Sequence, residues 1–93
     1  MGRFIVNTLP KADEHLKELR KSGNKAVFRR IDRIYEDLEN HPETGIGRPE
    51  RLKHARSGQW AREIDKKNRM IYEIEEMEVT VWVVSAKGHY GDH

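Results

Sequence analysis

Three strand-like runs crowd into the last third of the sequence, and their spacing leaves the chain little choice of fold. "QWAREID", "NRMIYEIE" and "EVTVWVVSA" each alternate along their length, through Trp60, Arg62 and Ile64, then Met70, Tyr72 and Ile74, then Val79, Val81 and Val83. A period of two sends successive side chains to opposite faces of a strand. The turns between the runs, Asp65-Lys-Lys-Asn68 and Glu75-Glu-Met-Glu78, are four residues each. A parallel crossover needs a dozen or more, so the runs must form an antiparallel meander.

The first half has helical periodicity. "PKADEHLKELRKSG" puts Ala12, His15, Leu16 and Leu19 on one face and stops at Ser22-Gly23. The next segment spaces Val27, Ile31, Ile34 and Leu38 by four, three and four, with Phe28 and Tyr35 widening the stripe and Lys25, Arg29, Arg30 and Arg33 on the other face. The short Ser-Gly-Asn connection predicts an antiparallel helical hairpin. Ahead of it, "RFIVNTL" predicts a short strand over Arg3–Asn7, with Thr8 as N-cap and Pro10 in the first helical turn. His41-Pro42 ends the second helix, and Pro42–Gly58 reads as a long structured loop. The expected fold is α+β in the order strand, helix, helix, strand, strand, strand, an antiparallel sheet with the hairpin on one face. At 93 residues and 11.0 kDa, one domain over 1–93 is expected.

Composition narrows the function. The chain has no cysteine, which excludes a disulfide framework and thiolate metal sites. Its apolar runs are too short for a signal segment or a membrane span, so a cytoplasmic location and no membrane partner are expected. The formal net charge is only +2 but unevenly placed. Between Ile46 and Arg69 stand eight Lys/Arg (Arg48, Arg51, Lys53, Arg56, Arg62, Lys66, Lys67, Arg69) against three acids (Glu50, Glu63, Asp65), and Met70–Ala86 then holds four Glu and no Lys or Arg. The basic segment suits a polyanion such as RNA; a solvated face of uneven charge is the bland alternative.

Chemistry-bearing residues gather in "GRPERLKH", at Arg69 opening a strand, and at His89-Tyr90 beyond the last strand. A meander can bring these to one end of its sheet. Cleaving RNA without a metal needs a base for the ribose 2′-OH, an acid for the departing 5′-oxygen and cations for the phosphoryl oxygens. Glu50 is a candidate base, His89 a candidate acid, and Arg69 and Lys53 candidate phosphate clamps, with Tyr90 able to stack on a base or donate to a phosphate. His54 and Arg62 complete the candidate substrate contacts. Each has a plainer reading. Glu50 could be a surface ion-pair partner, Arg69 could pair with Asp65 or Glu73, His89 could be a solvated tail residue, Tyr90 a half-buried lid, and His54 could pack on its loop. Trp60 and Trp82 fit the core or its margin. A chelate of His89, Asp92 and His93 has little support, and no cofactor is implied.

The run "GRPERLKHARSGQWAREIDKKNRMIYEI" followed by a last strand and "HY" resembles the YoeB branch of the RelE/ParE superfamily, toxins of bacterial toxin–antitoxin pairs. The likeness spans nearly the whole chain in element order and is most specific over Gly45–Tyr72. It implies a RelE-like fold and a ribonuclease that enters the ribosomal A site, contacts 16S rRNA and cuts mRNA without a metal, inhibiting translation. Glu50 then matches the general base, Arg69 the transition-state clamp, His89 the general acid, Tyr90 the aromatic that orients substrate and Lys53 a supporting cation. It also implies a YefM/Phd-type antitoxin in a hetero-oligomeric complex. Two positions depart from the family pattern: Glu63, where a second arginine often follows Arg62, and the Gly91-Asp92-His93 tail after His-Tyr. The rival functions are a ParE-type toxin that inhibits DNA gyrase by contact and an RNA- or ribosome-binding domain that cuts nothing.

Overall fold

The computed structural model describes residues 3–52 and 58–88. Within them run β1 (Ile5–Thr8), α1 (Pro10–Lys21), α2 (Lys25–Asn40), β2 (Glu50–Arg51), β3 (Gln59–Glu63), β4 (Arg69–Glu75) and β5 (Thr80–Ser85). The meander forms as its turn lengths demand: β3 pairs with β4 and β4 with β5, both antiparallel. Two edges are added. β2 pairs antiparallel with β3, and β1 runs parallel to β5, so the sheet order is β1-β5-β4-β3-β2.

The helices arise from local chemistry. Pro10 opens α1, where its missing N–H costs nothing. Thr8 does not cap it: Leu9 is the N-cap without a side-chain bond, and the Thr8 hydroxyl lies 2.6 Å from that of Tyr35 on α2. The Ser22 hydroxyl donates to the Leu19 carbonyl at 2.7 Å and closes α1. Asn24 caps α2, its Oδ1 accepting from the N–H groups of Ala26 and Val27 at 3.0 and 3.2 Å. The first strand starts two residues later than expected, because the N–H groups of Arg3 and Phe4 both donate to the Glu39 carbonyl near the end of α2.

Registered neighbours share a face, which separates the two sides of the sheet. Thr8, Val83, Tyr72 and Trp60 form one row, and Val6, Val81 and Ile74 another. This side meets Ala12, Leu16 and Leu19 of α1 and Val27, Ile31, Ile34 and Leu38 of α2 in the core. The opposite side, which the helices leave uncovered, carries the rows Asn7–Trp82–Glu73–Gln59 and Ser85–Ile71–Ala61–Glu50. The register slips between Ile71 and Tyr72, which face Ser85 and Val83 and so make Val84 an extra residue in β5. Such a bulge bends and twists the strand locally. Val79, expected to alternate with Val81, instead sits before β5 with φ +51° and belongs to the turn.

Candidate active site

Glu50 and Arg69 reach the uncovered face from neighbouring parts of the sheet. Glu50 lies on β2 opposite Ala61; Arg69 begins β4 opposite Glu63, the next outward position of β3. Their side chains approach to 3.9 Å between Arg69 Nη1 and Glu50 Oε2. The Glu50 side chain is 66% exposed and that of Arg69 28%. At that separation the guanidinium attracts the carboxylate without a hydrogen bond, so both groups keep capacity for a third partner. Arg69 thus pairs with Glu50 rather than with Asp65 or Glu73; Glu73 accepts from Gln59 Nε2 at 2.9 Å.

The turn before Arg69 is tightly built. The Asp65 carboxylate accepts from the N–H groups of Lys67 and Asn68 at 2.8 and 2.7 Å, and from the Asn68 amide. Burial alone would raise the Asp65 pKa, but these donors outweigh it and hold the carboxyl below its usual range. Asn68 in turn accepts the Gly88 N–H at 3.0 Å, and the Gly88 carbonyl accepts the Arg69 N–H at 3.1 Å. The same segment is fastened to α1, where Ala86 N–H donates to His15 Nδ1 at 3.1 Å and Lys87 to Glu18 at 2.6 Å. The chain after β5 is therefore tied to the backbone of Arg69 at Gly88, the residue that precedes His89 in sequence.

Lys53, His54, His89 and Tyr90 lie outside the described residues. Arg62 is described, and it is not where a substrate contact should be. Its side chain is fully buried on the helix side of β3. Nε donates to the Tyr72 hydroxyl at 3.1 Å, Nη1 to Asp37 Oδ2 at 3.2 Å and to the Ile46 carbonyl at 3.0 Å. Nη2 donates to the carbonyls of His41 and Thr44 at 3.1 and 2.6 Å. With its whole fork engaged, Arg62 has no donor left for RNA, which corrects the expectation for this residue. The Tyr72 hydroxyl donates to the Pro42 carbonyl at 2.8 Å, and burial pushes its pKa up, a shift its bond to Arg62 only partly offsets.

Asp37 was not singled out from the sequence, yet it completes this cluster, its Oδ2 also accepting the Ile46 N–H at 2.8 Å. Its signal was present: it lies between Ile34 and Leu38 on the apolar stripe of α2, where a carboxylate needs a buried partner. The loop it gathers packs so closely that a Cβ on Gly45, at φ +121°, would collide with the Asp37 carboxylate.

Elsewhere, a cleft of about 510 Å³ lined by Thr8, Leu16 and Tyr35 is walled by charges that pair with each other, Lys17 with Asp13 and Arg20 with Asp32. It holds none of the candidate catalytic groups. Among the described residues no three His, Cys, Asp or Glu side chains are grouped to hold a metal ion, and no helix is long and apolar enough to cross a membrane.

Comparison with known proteins bears on this arrangement. Residues 12–90 match the family model described as the YoeB-like toxin of bacterial type II toxin–antitoxin systems. A Mycobacterium bovis protein named Toxin YoeB is 36% identical over 69 residues, 74% of this chain and 79% of that one. The YoeB dimer from Staphylococcus aureus superposes with a TM-score of 0.79 at 27% identity, covering 95% of this chain and 99% of the other. The YoeB–YefM complex from the same organism gives 0.76 at 27% identity and the same coverage.

Proposed function

The chain belongs to the YoeB-like toxins of bacterial type II toxin–antitoxin systems, and from that premise we propose that it is a ribosome-dependent endoribonuclease that cuts mRNA in the A site. The observation that carries this reading is the Glu50–Arg69 pair at 3.9 Å on the uncovered face, with Gly88 hydrogen-bonded to Arg69 immediately before His89.

In this mechanism Glu50 takes the proton of a ribose 2′-OH as its oxygen attacks the adjacent phosphorus. The P–O5′ bond breaks, His89 protonates the departing oxygen, and the products are a 2′,3′-cyclic phosphate and a 5′-OH. No water or redox partner enters that step. Arg69 holds the phosphoryl oxygens as charge builds, its planar fork suiting phosphate better than a lysine would. Its Nη1 lies 3.9 Å from Glu50 Oε2, which sets the clamp beside the base. Lys53 and His54 supply further contacts to the backbone, and Tyr90 orients the nucleotide by stacking. The protein would work in the cytoplasm, where programmed ribosomes are found, and contact 16S rRNA there. A YefM-type antitoxin partner is supported by the S. aureus YoeB–YefM complex, to which this chain is structurally similar.

The test is to incubate the protein with programmed ribosomes and with naked mRNA, in EDTA-washed and metal-supplied reactions, and to map the ends. A-site cuts with 2′,3′-cyclic or 3′-phosphate ends, persisting in EDTA-washed reactions and lost in His89→Ala, are expected. Intact mRNA on ribosomes would overturn the proposal, and damaged DNA with intact mRNA in cells would direct attention to gyrase.

A further inference from the structure

Glu50 stands on a strand of two residues at the sheet edge, too short to hold its own position. On its far side it is steadied by the Leu52 N–H, which donates to the Gln59 carbonyl at 3.0 Å. On its near side the nearest anchors are the Gly47 carbonyl, which accepts the Glu63 N–H at 2.6 Å, and Ile46. Ile46 is gripped at both ends of its backbone, its N–H by Asp37 and its carbonyl by Arg62.

From this geometry we propose that the buried Arg62–Asp37–Tyr72 cluster is a positioning device for Glu50. The role rests on the reading of Glu50 as general base. Between the gripped Ile46–Gly47 segment and Glu50 stand only Arg48, at φ +50°, and Pro49, whose ring fixes its own φ. So short and stiff a spacer passes a displacement at Ile46 on to Glu50 rather than absorbing it. The cluster is also referenced to the correct frame. Arg62 follows Ala61, the partner of Glu50, and faces Met70, the residue after Arg69. Tyr72 stands on the same strand as Arg69 and ties Pro42 to it. The buried side chains therefore set the loop that delivers Glu50 against the two strands that present its partner, from the opposite face of the sheet. None of the three touches the reacting atoms.

The experiment measures single-turnover cleavage on programmed ribosomes for Asp37→Asn and for the milder Tyr72→Phe, each alone and combined with Glu50→Gln, with ribosome affinity measured separately. A small misplacement of a catalytic group costs up to about 100-fold in rate. Asp37→Asn is accordingly expected to slow cleavage by about 10- to 100-fold at unchanged affinity, and Tyr72→Phe by less. In the Glu50→Gln background neither should cost anything more, because the group they position is gone. The same fold-loss in both backgrounds, or no loss in either, would overturn the proposal. Hydrogen exchange at the Glu63 and Leu52 amides gives a readout that needs no activity: at least tenfold faster exchange in Asp37→Asn is expected, and unchanged exchange overturns the coupling. A wild-type protein that does not cleave would sink the nuclease reading, while the exchange measurement would still decide whether the cluster holds this strand.

Discussion

Replacing Arg62 by Met tests the energetics of the buried cluster directly. The substitution fills most of the volume but strips Asp37, whose side chain is 6% exposed, of its close cation. Arg33 and His41 remain at 3.9 and 3.8 Å, both on the other carboxylate oxygen and both at the surface. The Ile46 carbonyl also loses its donor, and the carbonyls of His41 and Thr44 each lose one, although the first keeps the Thr44 N–H and the second stays 3.1 Å from His41 Nδ1. Breaking a buried pair from one side costs about 3–5 kcal/mol, and each orphaned carbonyl that water cannot reach adds about 1–3 kcal/mol. Because the loop lies near the surface and can rehydrate, a net loss of about 4 kcal/mol is expected. A domain of this length has about 5–14 kcal/mol in total, so the variant should fold, but marginally. Urea unfolding followed by the fluorescence of the half-buried Trp60 and Trp82 reads the change; at about 1.5 kcal/mol per molar the midpoint falls by about 2.5 M. Asp37→Leu added to Arg62→Met removes the stranded charge, and the pair should be at least about 1.5 kcal/mol more stable than the sum of the single losses implies. A loss under about 1 kcal/mol for Arg62→Met, or strict additivity, would refute the account.

Glu50→Gln and Arg69→Ala should each lower the cleavage rate by at least about 100-fold while leaving the urea midpoint within error, since both side chains lie on the uncovered face. The Asp65 pKa is lower in the folded chain than in the unfolded one, so its contribution is present above the unfolded value and lost as pH falls through the folded one. The stability advantage of the wild type over Asp65→Asn should therefore hold at pH 7 and shrink below about pH 4, which melting curves at both pH values would show. Gly45→Ala should cost more than about 2 kcal/mol, combining a disfavoured φ with the collision against Asp37, whereas Gly23→Ala, at φ +77° with open space around it, should cost only about 1 kcal/mol. Equal melting temperatures for the two variants would count against the packing described for the 41–47 loop.

What could be read from the sequence follows the range of the forces involved. The stripe Val27, Ile31, Ile34 and Leu38 and the alternation through Tyr72 and Val83 are local patterns, and all six side chains are buried. β2 has no such pattern: two residues become a strand only because β3 offers a partner. The parallel docking of β1 on β5 is equally invisible locally. At the site, Glu50 and Arg69 could be named by residue type, but their approach depends on a register set by other residues. Arg62 shows two signals in conflict. Its charge argued for the surface, while its place between Trp60 and Ile64 in a period of two argued for the core, and the period prevailed because Asp37 and the loop carbonyls satisfy the charge.

The strand order has a kinetic consequence. Ile5 meets Thr80, and β5, with the fully buried Val81 and Val83, lies inside the sheet between β1 and β4. During synthesis the helical hairpin and β1 emerge first, yet the strand against which they close comes after every other described element. Contacts of such long sequence separation form slowly because the loop must be closed before they repay it. The nascent chain thus holds an apolar hairpin without its sheet until β5 is made, and the segment that brings Gly88 to Arg69 follows only then. The strand that completes the core is made before the segment that fixes Arg69, so the candidate site is assembled last, on a sheet already closed.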